Sequence, residues 1–390
     1  MAFPHARQFK LWLAGLILAA TLSPTLAPAA DTLAVYIGTY TGKSQGIYQL
    51  ELDLATGKLT HTSVATGVKN PSFLAIHPSG KFLYSIAELT DSAGKRQGGL
   101  AAFSLDPKSG ALMLLNQESS VGDGPCHLVV DHSGKCVLAA NYGGGSVCCL
   151  PIAADGKLAA ATTFVQHPTL EGPDGKKLIP RGHSINVDKN NRFAVAADLG
   201  INQMRVYKLD AAAGKLTAND PPSTSLAPGS GPRHFAFHPT NKFAYVINES
   251  AMTMTAFAYD AEAGKLTEQQ TLSTLPPGVS KQPGMSTAEV QVHPTGKFVY
   301  GSNRGHDTIV AYSVDPATGK LTYIENESTG GKTPRNFGLD PTGKFLLAAN
   351  QASDTIKVFR INAETGALDA TEHSIDVPSP VCVKFLKLAE

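Results

Sequence analysis

Apolar and polar positions along this chain change over in short runs broken by turn-forming clusters, and no segment carries a convincing helical period. One stretch shows the unit. His234–Phe237 reads as a short strand, and His238-Pro239-Thr240-Asn241 as a turn, with Asn241 at a position that favours a left-handed backbone. Residues 242–247 read as a second strand of alternating polar and apolar positions, Thr253–Tyr259 as a third, and Lys265–Leu272 as a fourth after the turn at 260–264. Four antiparallel strands in about 50 residues make one blade of a propeller.

The unit recurs. A D-x-x-x-G-K-L pattern, or a close variant, ends at Leu59, Leu112, Leu158, Leu216, Leu266, Leu321 and Leu368, seven copies spaced 46 to 58 residues apart. A second pattern, [HD]-x-x-[GN]-[KR]-[FC], starts at His77, Asp131, Asp188, His238, His293 and Asp340. Its missing seventh copy is accounted for by the ends of the chain. Leu33–Gly38 resembles a second strand with no first strand before it, and Val381–Leu386 is a strand without a blade. Pairing them closes a ring of seven blades and removes exposed sheet edges. The chain is therefore expected to be all-β, a seven-bladed propeller over residues 31–390, closed by its two ends.

Antiparallel alternation sorts the loops. The two repeated turns share one face, so His77, His238 and His293 are read as turn residues. On the opposite face the sequence stops repeating. Second strands end on Asn141, Asp198, Asn248, Asn303 and Asn350, with Ala87 the exception, a strand-end hydrogen-bonding device. The position after it varies: Glu88, Tyr142, Leu199, Glu249, Arg304 and Gln351. First-strand starts vary too. That face collects His127, His183, Arg233, His234, Glu249, Glu289, Arg304 and Arg335 around the mouth of the central channel.

Such a set suits ester or lactone chemistry. An imidazole activates water or protonates a leaving alkoxide, and guanidinium groups hold an anion and stabilise an oxyanion. There is no G-x-S-x-G for a serine nucleophile, and no H-E-x-x-H, Walker A or EF-hand pattern, so no metal or cofactor is expected. Gly143-Gly144-Gly145 lies between two strands and reads as a tight turn rather than a phosphate cradle.

Composition narrows the setting. Net charge is +1, which points away from nucleic acid and from acidic membranes. Arg7 and Lys10 precede the apolar stretch Leu11–Leu22, and Ala27-Pro28-Ala29 offers a cleavage site, so residues 1–30 read as a signal peptide, with an N-terminal anchor as the alternative. The mature chain is then periplasmic or secreted, near neutral with 31 basic against 32 acidic residues, and without tryptophan, since Trp12 is the only one. The five cysteines are odd in number and lack C-x-x-C spacing, so they are expected as buried thiols, with a Cys126–Cys136 bridge as the alternative.

The segments Gly231-Pro-Arg-His-Phe-Ala-Phe-His-Pro239 with Tyr245-Val-Ile-Asn-Glu249, Gly182-His-Ser-Ile-Asn186 and Gly301-Ser-Asn-Arg304 resemble the seven-bladed propeller lactonases, which include propeller-type 6-phosphogluconolactonases and the carboxy-muconate lactonising enzymes. The resemblance covers residues 33–387. It implies a small-molecule lactone substrate and a site made of His183, Arg233, Glu249 and Arg304, to which His127, His234, Glu289 and Arg335 are added here as substrate-binding residues. His183 is the expected general base and the arginines the anion and oxyanion holders. Glu249 is expected to orient water or His183. Two other functions fit the same scaffold: a ligand- or protein-binding propeller using the inserts at 164–179 and 221–231, or an isomerase forming a lactone from a muconate. Quinone-dependent dehydrogenation is disfavoured, because such propellers commonly stack tryptophans.

Overall fold

In the computed structural model, residues 1, 2, 4, 31–90, 94 and 96–389 are described; the expected signal peptide lies outside the described residues apart from those three positions. Seven four-stranded antiparallel sheets surround a central channel, and no helix occurs among the described residues. Six blades take four consecutive strands each. The seventh takes Pro380–Leu386 as its innermost strand and Thr32–Thr39, Ile47–Asp53 and Leu59–Ala65 as the other three. Val35 opposite Phe385 and Ile37 opposite Val383 set the register of that closure.

The second strands depart from the alternation expected of them. Cys136–Asn141, Phe193–Asp198, Phe243–Asn248 and Phe345–Asn350 are buried at every position. A strand sandwiched between two neighbouring blades has no solvent face, so it reads as a continuous apolar run. The outermost strands, such as Lys265–Ser273, carry the polar alternation instead.

Neighbouring blades are pinned by a repeated contact. The hydroxyls of Tyr36, Tyr84, Tyr245 and Tyr300 donate to the carbonyls of Gly110, Gly156, Gly319 and Gly366, each in the turn of the next blade, at 2.7 to 3.0 Å. These turns need glycine. Gly319 has φ of 71°, and a Cβ there would stand 2.4 Å from the Phe243 ring of the preceding blade. All five cysteines are free thiols, four of them buried and Cys126 partly so. The insert after Gln166 holds a two-residue-pair hairpin, Leu170–Glu171 with Lys177–Leu178.

Candidate active site

The channel is entered through a bulge repeated around the ring. At the start of the innermost strand the pairing skips a residue in six blades: Pro125 and His127, Gly182 and Ser184, Pro232 and His234, Pro334 and Asn336, and Pro380 and Cys382 pair with consecutive partners, and Thr287 is followed by Val290. A bulge re-aims the skipped side chain. The skipped residues are Cys126, His183, Arg233, Arg335 and Val381, with Ala288 and Glu289 in the wider case. The residues that follow the single-residue skips resume regular strand positions.

The candidate residues accordingly fall at two depths. His183, Glu249, Arg304 and Arg335 line one cavity of about 1380 Å³ at the mouth, together with Cys126, Tyr142 and Tyr40. His127, His234 and Glu289 line a second cavity of about 410 Å³ in the channel, with Phe73, Asn186 and Lys384. Arg233 lines neither and is 2% exposed. His183 and His234 bridge the levels with ring centroids 5.4 Å apart, and His234 stands 5.2 Å from His127.

At the mouth a single carboxylate oxygen serves two guanidinium groups. Glu249 Oε2 lies 2.8 Å from Arg233 Nε and 3.0 Å from Arg304 Nη2. Backbone carbonyls complete the clamp: Arg233 Nη1 donates to Ala288 O and Arg304 Nη2 to Thr287 O, both at 2.7 Å. Arg335 Nη2 donates to the Tyr40 hydroxyl at 3.4 Å, with the guanidinium carbon 5.6 Å from that ring. Three cations against one carboxylate leave this wall positive. Burial, then Arg304 and Arg335, pulls Arg233 down to about 10, so it is still charged at neutral pH. Burial likewise lowers Arg304. The buried Arg304 Nε makes no hydrogen bond within the protein.

His183 is 5% exposed. Its Nδ1 lies 3.6 Å from Cys126 Sγ, and that thiol donates to His183 O at 3.3 Å. Burial, then Arg233, His234 and Arg335, holds the imidazole well below the usual histidine range, so it is neutral at pH 7 and able to take a proton. Burial raises the Cys126 thiol to about 12, which leaves it protonated and a weak nucleophile. Glu249 is bonded to the arginines and makes no hydrogen bond to His183.

The lower level is a hydrogen-bonded network. His234 Nδ1 meets Glu289 Oε2 at 3.1 Å, Asn336 Nδ2 donates to the same oxygen, and Ile185 N donates to His127 Nδ1 at 3.3 Å, which places any proton of that neutral ring on Nε2. Burial lowers both imidazoles well below their usual range and raises the Glu289 carboxyl to about 7, against the pull of Lys384.

Among the residues lining the mouth, Tyr142 was not a candidate from the sequence. Tyr142 occupies the variable position after Asn141, which was the available signal. Its ring lies 5.2 Å from that of His183 at 68° and is 37% exposed, and the Arg181 guanidinium lies 5.5 Å from it.

A family model described as "Lactonase, 7-bladed beta-propeller" matches residues 34–385. A 6-phosphogluconolactonase of Bacillus subtilis is 40% identical over 352 residues, covering 90% of this chain and 97% of that one. Among solved structures, the periplasmic gluconolactonase of Pseudomonas aeruginosa superposes with a TM-score of 0.84 at 32% identity, covering 92% of this chain and 100% of that one. A putative 6-phosphogluconolactonase of Bacteroides fragilis superposes at 0.83 with 34% identity, covering 93% and 99%.

Proposed function

Because the chain belongs to the seven-bladed β-propeller lactonase family, we propose that it hydrolyses a sugar or similar lactone at the channel mouth, with His183 as general base. The neutral imidazole takes a proton from water as the oxygen attacks the lactone carbonyl. The carbonyl oxygen becomes an oxyanion beside the guanidinium groups of Arg304 and Arg335, which offset its charge in a partly desolvated site. The ring C–O bond then breaks, and the imidazolium returns its proton to the leaving alkoxide, giving the hydroxy acid. Arg233 adds positive charge from beneath and, through Glu249, fixes where Arg304 stands. His234 packs against His183 from below and is itself held by His127 and Glu289, so these three act by positioning rather than by touching the lactone.

The observation that carries this reading is that His183, Glu249, Arg304 and Arg335 line one cavity although they come from four different blades. Its location is proposed as the periplasm or the exterior. The apolar segment after Arg7 and Lys10 supports this, as does the likeness to a neighbour described as periplasmic. In that setting the lactone is expected to be unphosphorylated. Acid release by purified residues 31–390 from glucono-δ-lactone and its 6-phosphate, followed by titration at constant pH, tests the reading. Activity on at least one supports it, and inactivity on both, with other δ-lactones also untouched, refutes it.

A further inference from the structure

The cavity at the mouth is larger than this chemistry requires. Its volume of about 1380 Å³ exceeds the roughly 300–1,000 Å³ of pockets that enclose drug-sized ligands, and a six-carbon lactone is smaller than such a ligand. The excess has a direction. Glu249, Arg304 and Arg335 come from three successive blades, and across the ring from them the wall is made by Ala87, Ser119, Val121 and Asp123, from the blade Leu74–Ser119 and the connection that follows it.

That blade is the one whose second strand lacks the polar strand end. In three other blades the asparagine amide ties its blade to the chain arriving from the previous one: Asn141 donates to Ser120 O at 3.4 Å, Asn303 to Thr274 O at 2.8 Å and Asn350 to Thr329 O at 3.2 Å. Ala87 has no such group, and the residues paired with Ala87 and Glu88 are Gly99 and Gly98. The space beside Gly98 and Gly99 is filled by Ser120, Gly122, Pro125 and Leu89, so what leaves the lobe open is the short side chain of Ala87, which lines the cavity.

Tyr142 lines the same cavity as His183, Ala87 and Val121. Its ring is braced by Arg181, whose Nη1 donates to Gly143 O at 2.8 Å, and it is still partly bare. Val121 is 57% exposed and sits at φ of 61°. A β-branched residue adopts that conformation at a cost, and such strain gathers where ligands are clamped. Two exposed apolar groups beside Ser119 and Asp123 suit a pyranose, which has C–H faces and hydroxyl edges; an acyl chain has no use for the polar rim.

We propose that this lobe is a second subsite and that the substrate class is the δ-lactone of a disaccharide acid. The lactone ring lies between His183 and the arginines, and the glycosyl ring lies on Tyr142 against Val121. The proposal rests on the hydrolase reading above and extends it. The test compares cellobiono-δ-lactone with glucono-δ-lactone. The wild-type protein should favour the disaccharide in kcat/KM by about tenfold, and Tyr142→Ala and Ala87→Asn should each lower that ratio about tenfold. A wild-type ratio at or below one overturns the second subsite and leaves the hydrolase standing. Calorimetry with the ring-opened acids gives a reading independent of turnover. Cellobionate should bind about tenfold tighter than gluconate, with the difference lost in Ala87→Asn. Equal affinities overturn the subsite even if the protein opens no lactone.

Discussion

Six histidines of this propeller divide into two sets of three that share a side chain and a scaffold but not a task. In the turns, His77, His238 and His293 repeat one arrangement. Nδ1 meets a hydroxyl two residues on, Ser79, Thr240 or Thr295, at 2.7 to 2.8 Å. Nε2 meets the carbonyl of Gly134, Gly296 or Gly343 in the next blade at 2.8 to 3.0 Å. Both ring nitrogens are committed, and each ring staples two blades. In the channel, His127, His183 and His234 make three different sets of contacts, and burial suppresses the charge of all three. Repetition with full hydrogen bonding marks structure; departure from it, with nitrogens left over, marks chemistry.

Substitutions at the two sets should separate activity from stability. His183→Ala should lower kcat/KM for lactone opening by about 10²- to 10⁴-fold while the protein still unfolds cooperatively. Full activity in that variant would remove His183 as the base. His238→Ala leaves the Gly296 carbonyl without its partner in a nearly closed turn, and should cost about 1–3 kcal/mol of stability in urea titrations, with kcat/KM little changed. A loss of activity matching that of His183→Ala would erase the distinction. The mildest test is pH. Because the fold depresses His183, the acid limb of kcat/KM should fall below 6.5, the ordinary histidine value. A midpoint at or above 6.5 would show that burial is not felt by the reacting group.

The same depression has a thermodynamic sign. The unfolded chain takes up protons on these histidines below about 6.5 and the folded chain does not, so their contribution is present above that pH and is lost as pH falls. Glu289, raised to about 7, works in the opposite direction, its contribution being lost as pH rises through 7.

The fold was legible because its cause is local and repeated. The turns at Gly57 and Gly319 each need a glycine against the preceding blade's aromatic ring, Phe345 or Phe243, and the same need returns at Gly156, Gly264 and Gly366. The split seventh blade was legible as a missing copy. The depth of the candidate residues was not. Arg233 and His234 are adjacent in sequence and look equivalent, but the bulge at Arg233 buries its guanidinium under Glu249 while His234 reaches the lower cavity. Pairing irregularities of this kind depend on the neighbouring strand and leave no mark in the run of residue types. Tyr142 escaped for a related reason: one aromatic at a variable position gains meaning only once His183, from another blade, is seen beside it.

The latch between Thr32–Thr39 and Pro380–Leu386 governs when this site can exist. Arg304 and Arg335 belong to the fifth and sixth sheets in chain order, whereas Tyr40, which holds Arg335, follows the first strand described. Until the last strand docks, the two sides of the mouth belong to an open fan. The pocket is assembled only once Pro380–Leu386 has docked, so products lacking that strand are expected to open no lactone whatever else they retain.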